Sequence, residues 1–156
     1  LPFCPPRHAN NAGTGGFEES ASDPSRCKST LPIRRGDELI PELLNQLTAV
    51  KVDVEGFEKP VLIGLQTALA ASRPFVLFEF HSAPPQGFTN AAELAAVFPP
   101  DYEFAGIDNC SDRVTGEYRL VPYDRKSFPP AQAYLLAYAR EKKNLIPARF
   151  EPAAAD

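Results

Sequence analysis

Lys51–Val52–Asp53–Val54–Glu55–Gly56–Phe57–Glu58, entered from Ala49–Val50 and followed by an apolar run that leads to Pro74–Phe75–Val76–Leu77–Phe78–Glu79–Phe80–His81, decides how the rest of the chain is read. Val50, Val52 and Val54 alternate with Lys51, Asp53 and Glu55, the period-2 pattern of a strand. Gly56 then lets the backbone turn away without the penalty a Cβ would bring. Phe75 to Phe80 is nearly all apolar, as in a strand of a parallel sheet covered on both faces, which makes Glu79 conspicuous. Strand, acidic turn, helix, strand and histidine follow one another. In an open α/β sheet, ligands bind in the crevice outside the carboxyl ends of the strands, so Asp53, Glu55 and His81 are expected along one rim.

Working outward, Asp37 is a plausible N-cap for a helix whose apolar face carries Leu39, Ile40, Leu43, Leu44 and Leu47, with Pro41 tolerated in its first turn. A second helix is predicted from about Lys59 to Ser72, and Pro74 stops it. Residues 90 to 98 predict a short helix, while Tyr102–Ile107, Tyr118–Tyr123 and Ala133–Tyr138 predict strands. Alternating strands and helices with a late hairpin give an α/β class, with residues 31–140 as the folded unit and 141–156 as a tail. Residues 1–30, rich in Pro, Gly, Asn and Ser and without apolar period, are expected to be loop or poorly ordered. Gly13–Thr14–Gly15–Gly16 lies there between a Pro-rich stretch and two acids, so it reads as a loop rather than a phosphate cradle.

The central run resembles the FkbM-type family of S-adenosylmethionine-dependent methyltransferases, whose hallmark is an apolar strand ending in K-x-D-x-E-G-x-E and a helix carrying V-L-x-G. Here these are Lys51, Asp53, Glu55, Gly56 and Glu58, then Val61–Leu62–Ile63–Gly64. A Pro-led apolar strand ending in Glu matches Pro74 to Glu79, and Gly36–Asp37–Glu38–Leu39 is similar to the family's L-D-E-L, with Gly36 in place of the usual apolar residue. The resemblance implies a Rossmann-like class I methyltransferase sheet, S-adenosyl-L-methionine as cofactor, and methyl transfer to the hydroxyl of a small molecule or glycan. It further implies a first strand and a D-x-G-A-N-x-G loop that have no counterpart in this sequence. The absence of methionine points the same way, so a truncated or processed piece of a longer protein, lacking the first strands of its sheet, is expected.

At 156 residues, with 44% hydrophobic and 23% charged, the chain has the size and composition of one domain with a real core. The formal charge of −4, without any run of basic residues, excludes neither fold nor catalysis but gives no footprint for nucleic acid or an anionic membrane. No apolar run approaches the ~18 residues of a membrane span, and a secretory leader is not visible, so a cytoplasmic protein is expected. Cys4, Cys27 and Cys110, odd in number and widely spaced, read as reduced thiols. Cys4 and His8 sit among prolines that disfavour a helix bringing them together, and no metal site is expected there.

In this reading Asp53 faces the cofactor, while Glu55, His81 and Glu79 serve the acceptor side. Carboxylates accept hydrogen bonds from an ammonium or a hydroxyl and attract a cation, and an imidazole is the usual base for a hydroxyl. Each has a plainer alternative. His81 could be a loop histidine, Glu58 a first-turn acid favoured by the helix dipole, and Lys51 the buried partner of Glu79 across two strands. A non-catalytic scaffold and a metal-dependent hydrolase using Asp53, Glu55, Glu79 and His81 remain as alternative functions. Without its expected neighbour, the Val50–Val54 strand leaves an open edge through which copies of the chain could associate.

Overall fold

The computed structural model describes residues 1–4, 16–17, 27, 29–81, 87–108, 119–123, 126, 128 and 134–147. Three short strands, β1 (Pro2–Cys4), β2 (Gly16–Phe17) and β3 (Ser29–Thr30), form a small antiparallel sheet in the order β2-β1-β3. The segment expected to be loop therefore contains paired backbone. The pairing of Phe3 with Ser29 brings Cys4 back alongside Cys27, and the two form a disulfide. Wide spacing in sequence hid this contact, because an antiparallel return closes any separation. The expectation of reduced thiols is corrected for this pair. Such bonds persist in oxidising compartments, which weighs against the cytoplasmic expectation. Cys110, His8 and Gly13 to Gly15 lie outside the described residues.

The main sheet has five strands: β4 (Ala49–Val52), β5 (Phe75–Glu79), β6 (Tyr102–Asp108), β7 (Arg119–Pro122) and β8 (Tyr134–Ala139). Their order is β4-β5-β8-β6-β7. β4 and β5 run parallel, with Lys51 opposite Leu77 and Val52 opposite Phe78. β8 is antiparallel to both β5 and β6, and β6 and β7 form the late hairpin. The sheet is thus mixed. Among the described residues β4 lies at its edge, paired on one side only.

Helices cover one face. α1 (Gly36–Leu39), α2 (Glu58–Gly64), α3 (Gln66–Ser72) and α4 (Ala91–Ala96) are all short. Leu62, Leu69 and Leu94 from these helices bury against Val52, Val76, Phe78, Leu135 and Ala137. Fully burying each such side chain contributes about 1.5–3 kcal/mol. The opposite face is thinner. There Tyr138, Ala105 and Leu120 pack with Ile146, which follows a 3-10 helix over Arg140–Leu145. Residues 140–146 are consequently part of the fold and no mere tail. Phe75, Leu77 and Leu136 are only half-buried beside a hollow of about 650 Å³ that Lys51, Ile107 and Leu145 also line. β5 is therefore not covered equally on both faces as expected.

The predicted helices break where the backbone packs closely. A Cβ at Gly36 would stand 2.4 Å from Leu65 Cδ2, and one at Gly64 would stand 3.5 Å from the Gly36 nitrogen. A side chain at Gly36 would require Leu65 to shift, whereas one at Gly64 would make only ordinary contact, and the long helix expected over 59–72 is interrupted at Leu65. Asp37 caps the wrong helix by sequence logic. Its carboxylate accepts from the Thr67 and Ala68 N–H groups at 3.0 Å each, so it serves the start of α3 rather than of α1. Burial opposes ionisation there, but those N–H groups and Arg35 hold the Asp37 pKa below its usual value. Beyond Leu39 the chain passes into a 3-10 turn at Pro41–Leu43, as expected of a ring that removes a helical donor.

Candidate functional site

The turn between β4 and α2 is built from two residues in the left-handed region, Glu55 at φ 51° and Gly56 at φ 96°. Glycine adopts this conformation freely, whereas a glutamate is held there at a cost of about 1–2 kcal/mol. That backbone puts Glu55 at the exposed crest of the turn. The structure also explains what holds the turn. Glu58, the first residue of α2, is 1% exposed, the one charged residue buried in the core among the described residues. Its Oε1 accepts the Val54 N–H at 3.1 Å and the Gly56 N–H at 3.2 Å. Its Oε2 lies 3.0 Å from His81 Nδ1.

His81 sits just past the end of β5, parallel to β4, and its backbone is anchored on both sides. Phe80 is buried against Phe88, with ring centroids 5.8 Å apart, and the His81 carbonyl accepts the Phe88 N–H at 3.1 Å. Lys59, next to Glu58, donates to the Gly87 carbonyl and pairs with Glu93, tying the start of α2 to the same returning segment. The imidazole itself is one-third exposed. Glu79 completes the group: one ligand atom each of Glu58, Glu79 and His81 lie within 4.8 Å of one another. Burial raises the Glu79 pKa above its ordinary value, and the Asp53, Glu55 and Glu58 carboxylates add to the rise against an opposing effect of His81.

Asp53 is gathered at the same strand ends, but its direct partner is Lys51, Nζ to Oδ2 2.5 Å. Lys51 is 61% exposed, so the expected buried ion pair with Glu79 is not formed. Alternation accounts for this: Lys51 faces the thinly covered side of the sheet, where its stem reaches solvent and its amine meets the acid two residues on. The four sequence-predicted residues thus fall into two groups. His81 and Glu79 join Glu58, while Asp53 and Glu55 stand at the rim and act on the cluster through charge. A metal set of Asp53, Glu55, Glu79 and His81 is not what the geometry assembles.

Two residues escaped the sequence reading. Glu58 was as well explained by the helix dipole, and only its burial reveals the alternative. Tyr134, the first residue of β8, stands directly opposite Glu79, whose charge is the largest cause of its raised phenol pKa. Nothing in its local sequence signals this, since the contact depends on strand order.

The family model described as "Methyltransferase FkbM domain" matches residues 9–111. The chain belongs to this methyltransferase family. The match contains both the acidic turn and His81, whereas β8 with Tyr134 lies beyond it. No curated protein and no solved structure matches the chain. Family membership and the carboxyl-end cluster therefore rest on independent observations that meet at the same residues. No helix among the described residues is long and apolar enough to cross a membrane.

Proposed function

We propose that this chain carries the acceptor side of an S-adenosylmethionine-dependent O-methyltransferase, acting on a hydroxyl of a small molecule or glycan, on a Rossmann-like class I sheet. The observation that carries this reading is the surplus of carboxylates at the carboxyl end of the parallel pair β4 and β5, in a chain of a methyltransferase family. Asp53, Glu55, Glu58 and Glu79 face Lys51 and His81 there. A cationic ligand fits such an imbalance: burial first, and then the neighbouring carboxylates, raise the Glu79 pKa, and a nearby positive charge opposes both.

The cofactor supplies an electrophilic methyl group on a sulfonium, and the chain's residues do the rest. Asp53 attracts and orients the cationic end. Glu55 and Glu79 accept from other hydroxyl groups of the acceptor and orient it, and His81 takes the proton of the reacting hydroxyl. Fixing two reactants in that alignment supplies the larger part of the acceleration.

Titration calorimetry with S-adenosylmethionine tests the reading. The family's Gly-rich loop has no counterpart here, so weak binding or none is expected, and sub-micromolar binding would overturn that expectation. Where binding is measurable, Asp53→Ala should weaken it further, and binding indifferent to Asp53→Ala would favour the scaffold alternative. Self-association through the edge of β4, which has no neighbour on its other side among the described residues, is a separate expectation. Light scattering that shows dimers or larger species, with exchange protection of residues 49–52 rising with concentration, supports it, and a monomer at all concentrations sinks it.

A further inference from the structure

We propose that Glu58 is a positioning residue: it fixes His81 in the tautomer that carries its proton on Nδ1, so that Nε2 presents a lone pair to the acceptor hydroxyl. This rests on the methyl-transfer reading above and adds to it the group that makes His81 a base.

A carboxylate buried as fully as Glu58 costs several kcal/mol unless its oxygens are satisfied. Locking the turn requires only one of them. Val54 and Gly56 both donate to Oε1, and backbone N–H groups can only donate, so the acceptor role of that oxygen is settled without any choice of protonation. Oε2 is left for His81, whose Nδ1 lies at 3.0 Å. A carboxylate in this role accepts, and Nδ1 must then hold the hydrogen. Free histidine in water favours the other tautomer, so the pair reverses the ring's default. Phe80, buried on one side, and the Phe88 N–H on the other prevent the ring's backbone from drifting away from Glu58.

The geometry is graded from inside to outside. Glu58 is enclosed and the imidazole is one-third exposed, so Nδ1 is held against Glu58 while part of the ring stays open to a ligand. In the step itself, His81 Nε2 accepts the proton that the hydroxyl loses as its oxygen bonds to the methyl carbon. The carbon–sulfur bond breaks at the same time and its electron pair stays on sulfur. The imidazolium so formed lies against Glu58 from α2 and near Glu79 from β5, with Asp53 and Glu55 from the turn adding negative charge, and it returns its proton to solvent.

The same three side chains could instead ligate a divalent cation. The two arrangements need different atoms free: a ligated Nδ1 carries no hydrogen, whereas a positioned one must.

The chain has two histidines, and His8→Gln leaves His81 as the sole imidazole signal. Nitrogen-15 correlation spectra then read which ring nitrogen is protonated above the titration midpoint. The expected result is Nδ1–H in the otherwise native chain and Nε2–H in Glu58→Gln. The carboxamide there still offers an oxygen to Val54 and Gly56, while its NH2 donates to Nδ1. Nε2–H in the native chain, or Nδ1–H retained in a folded Glu58→Gln, overturns the proposal. So does saturable loss of the Nδ1–H signal on adding Zn2+, with selective broadening by Mn2+, which would establish a cation site.

In a methyl-transfer assay Glu58→Gln should lower kcat by roughly 10²–10⁴-fold with KM nearly unchanged, and His81→Gln combined with it should be no worse than either alone. A tautomer switch with unchanged kcat overturns the positioning role. Failure of the native chain to methylate any acceptor counts against the methyl-transfer reading instead, and the tautomer spectra still decide whether Glu58 sets the ring.

Discussion

At the amino end of β5, Arg73 lies between Asp101 and Glu141; at the carboxyl end, Glu79 lies among Asp53, Glu55 and Glu58. Both are clusters of charge at the ends of one strand, yet they are organised oppositely. Arg73 ends α3 in the left-handed conformation and reaches Glu141 through Nε at 2.5 Å and Nη2 at 2.7 Å, while pairing with Asp101 as well. Lys142 donates to the Ser72 and Arg73 carbonyls beside it. Every acid there has a cation, and the Arg73 hydrogen bond brings the Glu141 pKa down to about 2. At the other end an acid is pushed upward, first by burial and then by its neighbours. Balanced charge closes a fold; unbalanced charge waits for a counter-ion. The contrast separates a structural network from a site without reference to any motif.

The strongest way to break the comparison is Glu58→Ala. It leaves the partly buried Val54 and Gly56 N–H groups without their acceptor and empties the buried Glu58 side-chain position, and should cost about 2–3 kcal/mol, read as a lower midpoint in urea. A near-neutral result would mean that the turn holds itself. Arg73→Ala at the balanced end should cost about 1 kcal/mol, less in high salt, and leave methyl transfer unchanged. If activity falls as far as stability, the two ends are not independent.

Glu79→Gln sharpens the contrast through pH. An acid whose folded-state pKa is raised holds a proton that the unfolded chain has already released, so stability falls as pH rises from the ordinary value of 4.5 through the folded value. The glutamine variant should therefore match the native chain below that window and exceed it above, as melting curves at several pH values would show. A variant less stable at neutral pH refutes the surplus-charge picture. The smallest effect is expected of Asp53→Ala. A rim acid paired to an exposed lysine should change stability by less than ~0.5 kcal/mol, and in a protein that also carries the family's first strand and Gly-rich loop the methyl-transfer activity should be lost. Earlier unfolding with normal turnover would make Asp53 structural.

The strands were legible because their signal is local. Val50 and Val52, and the run from Phe75 to Glu79, announce themselves by alternation and by apolar continuity, and β6, β7 and β8 fall within a residue or two of their expected bounds. Helix extents were less so: Pro41 shortened one, and the backbone at Leu65 leaves the helical conformation and divides another. Asp37 looked like a cap for its own helix and caps α3 instead, a contact across 30 residues. The rim acids and His81 could be placed from the rule about strand ends. Glu58 could not be distinguished from an ordinary first-turn acid, since its meaning comes from His81, 23 residues away. Strand order, and with it the place of Tyr134, is carried by pairings that no periodicity encodes.

The last strand of the main sheet is also its middle one. β8 joins β5 to β6, so during synthesis neither of those strands has its second neighbour until residues 134–139 have left the ribosome. Until then the β4–β5 pair and the β6–β7 hairpin are two separate pieces with apolar faces, obliged to wait or to be chaperoned. The contacts that join them span long stretches of chain, which slows folding. A nonsense or frameshift change just before Tyr134 would thus do more than shorten the protein: it would remove the keystone and leave two unjoined halves for proteolysis to find.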